Sequence, residues 1–253
     1  MQLPEPILTA VMQHFDAHHP FWHLARVQES EMKSPMEKAT WKKARKMFPT
    51  LRFRDESGAG EDFLTFHREM MREYKWILER FPEAGLSYLP WQRIPDDVRQ
   101  VIEMEFGLPV DPGLSSISTL VNSGTLSNIG GFIEPCPAQR FTEGRGLHDL
   151  SHGAVAEIEE KQGLASDFSM GSPSTAHRNV VFYQLHGWID ECYAAWQRAH
   201  GQIPDLSPKA PSGMHRTQTV TKTMNRESLQ DAVSVVDRVL RFDRRWLGGR
   251  KDL

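Results

Sequence analysis

The stretch EDFLTFHREMMREYKWILERF, residues 61–81, carries the strongest helix signal in the chain. Its apolar side chains recur every three or four residues, which is the spacing of one helix face. Pro82 and Gly85 follow and predict its end. One histidine, His67, lies among the apolar residues of this predicted helix.

Further helices are predicted on both sides of this one. They cover residues 5–27 with an interruption at Pro20, 36–47, 94–107, 146–162, 177–200 and 226–242. Residues 108–145 and 201–224 are rich in turn-forming residues and are predicted to be irregular, with room for a short strand in the first. The pattern predicts an all-α protein with a four-helix bundle core and extra peripheral helices, formed as one domain over residues 1–253.

Composition limits the function classes. The net charge is −3 and the pI is about 6.4, so no nucleic-acid or anionic-membrane partner is indicated. No stretch approaches the roughly 18 apolar residues of a membrane span, and the N-terminus lacks a secretory pattern. Cys136 and Cys192 cannot make a disulfide framework. We therefore expect a cytoplasmic protein.

The histidines are the informative residues. Two pairs are spaced i and i+4, which places each pair on one helix face, and two further predicted helices each carry one histidine among apolar residues. These six are His19 and His23, His67, His148 and His152, and His186. Three nitrogens per ion leave an open position, as catalytic sites need. The spacing predicts two three-histidine sites but does not name the metal, since imidazole suits copper, zinc, iron and nickel.

The other histidines have simpler interpretations. His14 and His18 are expected at the surface or behind the ligands, and His18 is the alternative ligand if the helix register differs. His177 is interpreted as a polar residue at a helix start, with a place beside the second site as the alternative. His200 and His215 are expected to face solvent.

The segments around the six histidines resemble the type 3 copper proteins, most closely the arthropod hemocyanin and phenoloxidase branch. HHPFWHL at 18–24 is similar to that family's first copper motif, and GEDFLTFHREMMREY at 60–74 to its next motif. LHDLSH at 147–152 and STAHRNVVFYQLHGWID at 174–190 are similar to the two parts of the second copper motif.

This resemblance implies two copper ions. Its ligands for one ion are His19, His23 and His67, and for the other His148, His152 and His186. It also places Phe182 against the second site and Asp190 at the acidic position that orients ligands. The family's Asp-Pro is replaced here by Asn179-Val180, and residues 30–59 and the last 50 residues match none of its motifs.

The chemistry that the resemblance implies is that of a tyrosinase-like or catechol-oxidase-like enzyme. Its partners would be dioxygen and a small aromatic substrate, a phenol or a catechol, in a biosynthetic pathway; a homo-oligomer is an open alternative. Asp149, next to His148, is the candidate catalytic base. The alternative is that Asp149 fixes a histidine or caps its helix. Cys136 could form a Cys–His thioether, but a buried structural cysteine is the simpler interpretation.

Other functions fit the same residues. The six histidines could serve a reversible dioxygen-binding protein. They could also hold zinc in a lyase or hydrolase of secondary metabolism, because zinc accepts three histidines and a water. A metal-free helical binding protein is the remaining alternative.

Overall fold

A computed structural model describes residues 1–106, 146–164, 166–211 and 226–240. Their α-helices are α1 Ile7–Phe15, α2 His18–Ala25, α3 Pro35–Met47, α4 Ala59–Arg80, α5 Asp96–Phe106, α6 Leu147–Lys161, α7 Val180–Ala199 and α8 Arg226–Leu240. The described residues contain no strand, so the predicted all-α class is confirmed. The bundle arrangement stays a prediction. In the described part of the chain, no helix has the length and apolarity to cross a membrane.

The first predicted helix is two helices, and the break is not at Pro20. α1 ends at Phe15 and α2 begins at His18, so Pro20 lies in the first turn of α2. A proline inside a helix removes a hydrogen bond and clashes with the carbonyl four residues earlier, here that of Asp16. In the first turn its missing N–H costs nothing. The chain therefore breaks before the proline.

α4 and α7 pack along each other through the main core. The rings of Tyr74 and Tyr183 stack with centroids 3.5 Å apart. About two helical turns away, buried Arg68 pairs with buried Asp190. These contacts fix the register between the two helices that carry His67 and His186.

α2 is covered on its outer side by a second, smaller core. Ala17, Phe21 and Leu24 of the α2 region are fully buried there. α8 contributes Ala232 and Val236, which are spaced i and i+4 on one face. α3 closes this cluster, and its start is fixed by a capping box between Ser34 and Glu37. α8 therefore lies against the outer side of α2, the helix that carries two of the candidate ligands.

Residues 166–179 connect α6 to α7 through two short 3-10 turns, Ser166–Phe168 and Ala176–Arg178. α7 begins at Val180 rather than at His177, because the Asn179 side chain accepts the backbone N–H of Val181 and caps the helix. Below we call residues 166–179 the connecting segment.

Candidate metal centre

Four helices bring the six predicted histidines together in the interior. α2 supplies His19 and His23, α4 His67, α6 His148 and His152, and α7 His186. All are buried, and the most exposed of them, His23, shows only 8% of its surface. Buried polar groups need partners, so a cluster of imidazoles in a core requires a specific arrangement of hydrogen bonds or a metal ion.

One ring nitrogen of each of five histidines is bonded away from the cluster. The Nδ1 contacts are His19 to the Pro173 carbonyl at 3.0 Å, His67 to Phe63 O at 2.9 Å, His148 to Asp149 Oδ1 at 2.7 Å, His152 to Met170 O at 2.8 Å and His186 to Phe182 O at 2.7 Å. A carbonyl oxygen and an ionised carboxylate only accept hydrogen bonds, so the proton of each neutral ring lies on Nδ1. The lone pair that can bind a metal is then on Nε2.

The Nε2 atoms meet one another inside the cluster. Nε2 of His19 lies 3.1 Å from Nε2 of His23, and Nε2 of His148 lies 3.1 Å from Nε2 of His186. Two nitrogens bound tetrahedrally to one ion at the usual bond length lie about 3.3 Å apart. His67 Nε2 is buried and has no hydrogen-bond partner among the described residues. The donor set therefore fits a bound ion.

The histidines form three groups of three, and within each group the donor nitrogens lie within 4.8 Å of one another. One is the predicted trio His148, His152 and His186. The other two both contain His67: one joins it to His19 and His186, the other to His23 and His148. These buried groups could hold a metal ion. The assignment of His19, His23 and His67 to one shared ion stays a prediction.

Burial keeps the imidazoles neutral. Desolvation lowers the pKa of His67 to about 3 and that of His152 to about 4. It also holds the pKa values of the other four well below their ordinary value, and neighbouring imidazoles lower them further. Metal binding requires unprotonated imidazole, so protons do not compete for these ligands near neutral pH.

Aromatic side chains wall the cluster. Phe182 stacks on His186 at 3.9 Å between centroids, as expected, and Phe63 lies 4.2 Å from His67. Trp22 lies 4.9 Å from His23. Buried Arg26 places its guanidinium 4.5 Å from the Trp22 ring and donates to a backbone carbonyl. The surroundings are thus apolar, with one fixed positive charge nearby, which also lowers the pKa of His67 after the larger effect of burial.

The two acidic candidates have different contacts. Asp149 is buried, and its Oδ1 lies 2.7 Å from His148 Nδ1, which is the contact that an orienting role requires. Its role as a general base stays a prediction. Asp190 was expected to orient a ligand, but it pairs with Arg68, while His186 donates to the Phe182 carbonyl instead.

Several histidines outside the six are placed differently from expectation. His18 is buried between Phe48 and Phe66, with both ring centroids 5.2 Å away, and belongs to none of the metal groups. His177 is fully buried, its Nε2 2.7 Å from Asp16, and its ring 5.9 Å from that of His19. His177 therefore does not begin α7, and the helix-start interpretation is wrong. Its ring lies beside the cluster next to His19, which the resemblance assigns to the first ion, whereas the alternative interpretation placed it beside the second.

The remaining histidines and a cysteine complete the comparison with the sequence. His14 is half-buried, and His200 is exposed and stacks on Trp196, as expected for a solvent-facing residue. His215 and Cys136 lie outside the described residues.

Sequence reasoning missed the backbone contribution to the site. The Pro173 and Met170 carbonyls come from the connecting segment and each hold one imidazole. Every residue has a backbone carbonyl, so the sequence does not show which carbonyls bind a histidine. The only signal for this segment is the loop composition SMGSPS between two predicted helices.

No protein-family model matches the chain, and no curated protein is significantly similar to it. The resemblance to the type 3 copper proteins therefore depends on the local sequence motifs alone.

Proposed function

We propose that this chain is a dinuclear copper oxidase that acts on a small phenol or catechol. The observation that carries the proposal is the convergence of six buried, neutral histidines, five of them with Nδ1 bonded outward. An all-nitrogen donor set without carboxylate or thiolate suits Cu(I) and Cu(II). Six imidazoles supply two three-coordinate ions, each with an open position.

When bound, a copper pair supplies dioxygen binding and two-electron oxidation, and this chain's residues supply the surroundings. The outward hydrogen bonds fix each ring and its tautomer, so the lone pairs are preorganised. Phe63, Phe182 and Trp22 exclude water from the cluster. Asp149 holds the proton on His148 Nδ1, and we assign it the additional role of accepting a phenolic proton.

Zinc is the second candidate, because the same donor set fits a three-histidine zinc site with a bound water. It would make the protein a lyase or hydrolase without redox chemistry. The two proposals differ in their need for oxygen.

The test compares copper-loaded and zinc-loaded protein on one catechol, with and without oxygen. We expect copper-loaded protein to form the o-quinone and to consume oxygen, and zinc-loaded protein to do neither. Turnover by zinc-loaded protein without oxygen would replace the oxidase by a Lewis-acid enzyme. A double variant, His148→Ala with His67→Ala, controls for copper bound elsewhere and is expected to be inactive.

A further inference from the structure

The connecting segment is held by two helices at the two points where it touches the histidines. Buried Glu159 of α6 accepts a hydrogen bond from the backbone N–H of Met170 at 3.1 Å. The carbonyl of Met170 in turn accepts a hydrogen bond from His152 Nδ1. Asp237 of α8 accepts hydrogen bonds from the residues on either side of Pro173. The carbonyl of Pro173 accepts a hydrogen bond from His19 Nδ1. Glu159 thus supports the acceptor of His152, and Asp237 supports the acceptor of His19. The two histidines are assigned to different ions.

Asp237 has three contacts with the segment. Its Oδ1 accepts the Ser172 hydroxyl at 2.7 Å and the Ser174 backbone N–H at 3.2 Å, and its Oδ2 accepts the Ser174 hydroxyl. The two hydroxyls also lie 2.8 Å apart. Pro173 lies between them in the chain, so these bonds fix the orientation of its peptide unit.

The position of α8 makes this connection a rigid one. Ala232 and Val236 pack on Phe21 and Leu24 of α2, the helix that carries His19. The next residue after Val236 is Asp237, so α8 packs on side chains of the helix that carries His19 and also bonds to the two serines that flank the acceptor of its ring. α8 lies in the part of the sequence that matches no copper-protein motif. The resemblance therefore does not imply the contact between α8 and the connecting segment.

We propose that Asp237 is a positioning residue for the metal centre, acting on His19 through the Pro173 carbonyl. It touches neither metal nor substrate. Its effect is to keep the carbonyl where it fixes the proton on His19 Nδ1, which keeps the lone pair of Nε2 directed into the cluster. The metal part of this inference rests on the proposed dinuclear centre.

The first experiment measures copper release. Wild-type protein and the Asp237→Ala variant, both loaded with Cu(I), are challenged with a cuprous chelator, and release is followed with time. Groups behind metal ligands typically affect affinity 10–100-fold, so we expect one of two ions to leave about 10-fold faster. The other ion, held by His148, His152 and His186, should leave at the wild-type rate.

Two further variants separate positioning from a general loss of structure. Asp231→Ala makes the same change at an exposed position of α8 and is expected to change nothing. Ser172→Ala with Ser174→Ala leaves α8 intact and is expected to reproduce the faster release. Adding Asp237→Ala to that pair should have little further effect, because the residues act as one unit.

The second experiment needs no metal. In metal-free protein labelled with ¹⁵N-histidine, we expect His19 to be protonated at Nδ1 and protected from solvent exchange, and Asp237→Ala to lose that protection while His152 keeps it. An unchanged His19 signal, or equal loss at both histidines, would overturn the proposal. Equal acceleration of both copper ions would also overturn it. Failure of wild-type protein to bind copper would instead count against the proposed function, and the ¹⁵N measurement would still decide the role of Asp237.

Discussion

At the scale of single residues, five of the six rings in the cluster are held by a partner that accepts a hydrogen bond from Nδ1. For four of the five this partner is a backbone carbonyl, while for His148 it is the Asp149 carboxylate. A side-chain partner can be exchanged without altering the backbone. Asp149 is therefore the residue at which orientation of a ligand and proton transfer can be separated.

We predict different results for two substitutions at Asp149. Asp149→Ala removes the acceptor of His148 and should weaken the binding of one ion about 10–100-fold. Asp149→Asn keeps an acceptor oxygen, so it should retain the metal. If Asp149 is also the base, Asp149→Asn should lower oxidation of a monophenol by ~10²–10⁴-fold and spare that of a diphenol.

Metal titrations and rate measurements on the two substrates check this pair. Glu160→Ala, at an exposed position of the same helix, is the control for a general effect on α6. Full metal binding by Asp149→Ala would contradict the orienting role. Equal losses on both substrates in Asp149→Asn would contradict the role as a base.

At the scale of helices and their connections, Asn179 occupies the position at which the resemblance to the type 3 copper proteins would place an aspartate. Its side chain is buried and caps α7, and its amide nitrogen donates to Glu159 and, at 2.9 Å, to the Phe168 carbonyl. The family's aspartate at this position would have no donor and would face the Glu159 carboxylate. The asparagine is therefore matched to the buried Glu159 of this chain.

We predict that Asn179→Asp lowers the free energy of unfolding by about 2–3 kcal/mol, because two donated hydrogen bonds are lost and two carboxylates meet. Urea unfolding measures the change. The double variant with Glu159→Gln restores a donor opposite the new carboxylate and should recover much of the loss. Gln100→Glu adds the same charge at an exposed position and should have little effect. An additive double variant would contradict the pairing.

Much of the element level could be predicted from sequence. Periodicity and stop signals located the long helix around His67, and the i, i+4 spacing located both histidine pairs. The break between α1 and α2 was misplaced, because a proline acts on the carbonyl four residues earlier and its own position can stay helical. Burial of His18 and His177 depends on contacts with Phe48 and Asp16, which are distant in the chain and leave no periodic signal.

At the scale of the whole molecule, six neutral imidazoles in one core tie the stability of the metal-free protein to pH. Unfolded histidines take up protons below about pH 6.5, whereas His152 stays neutral down to about 4 and His67 down to about 3. Between these values the unfolded state binds more protons. The free energy of unfolding therefore falls as the pH falls.

We predict that metal-free protein loses stability steadily from about pH 6.5 toward about pH 5, by up to about 1.4 kcal/mol per pH unit for each buried histidine. Urea unfolding at several pH values measures the slope. His152→Gln removes one of the titrating groups, so its slope should be smaller by about one proton, while His200→Gln, at an exposed position, should keep the wild-type slope. Identical slopes in all three proteins would contradict the buried neutral state.

We propose that six histidines from four helices form one dinuclear copper centre that binds dioxygen. The most direct test loads metal-free protein with Cu(I), counts the bound copper, admits oxygen and records the near-ultraviolet spectrum. We predict two copper ions per chain and an oxygen-dependent charge-transfer band, which zinc cannot give because its d shell is filled. Two bound copper ions without such a band, or no more than one ion per chain, would contradict it.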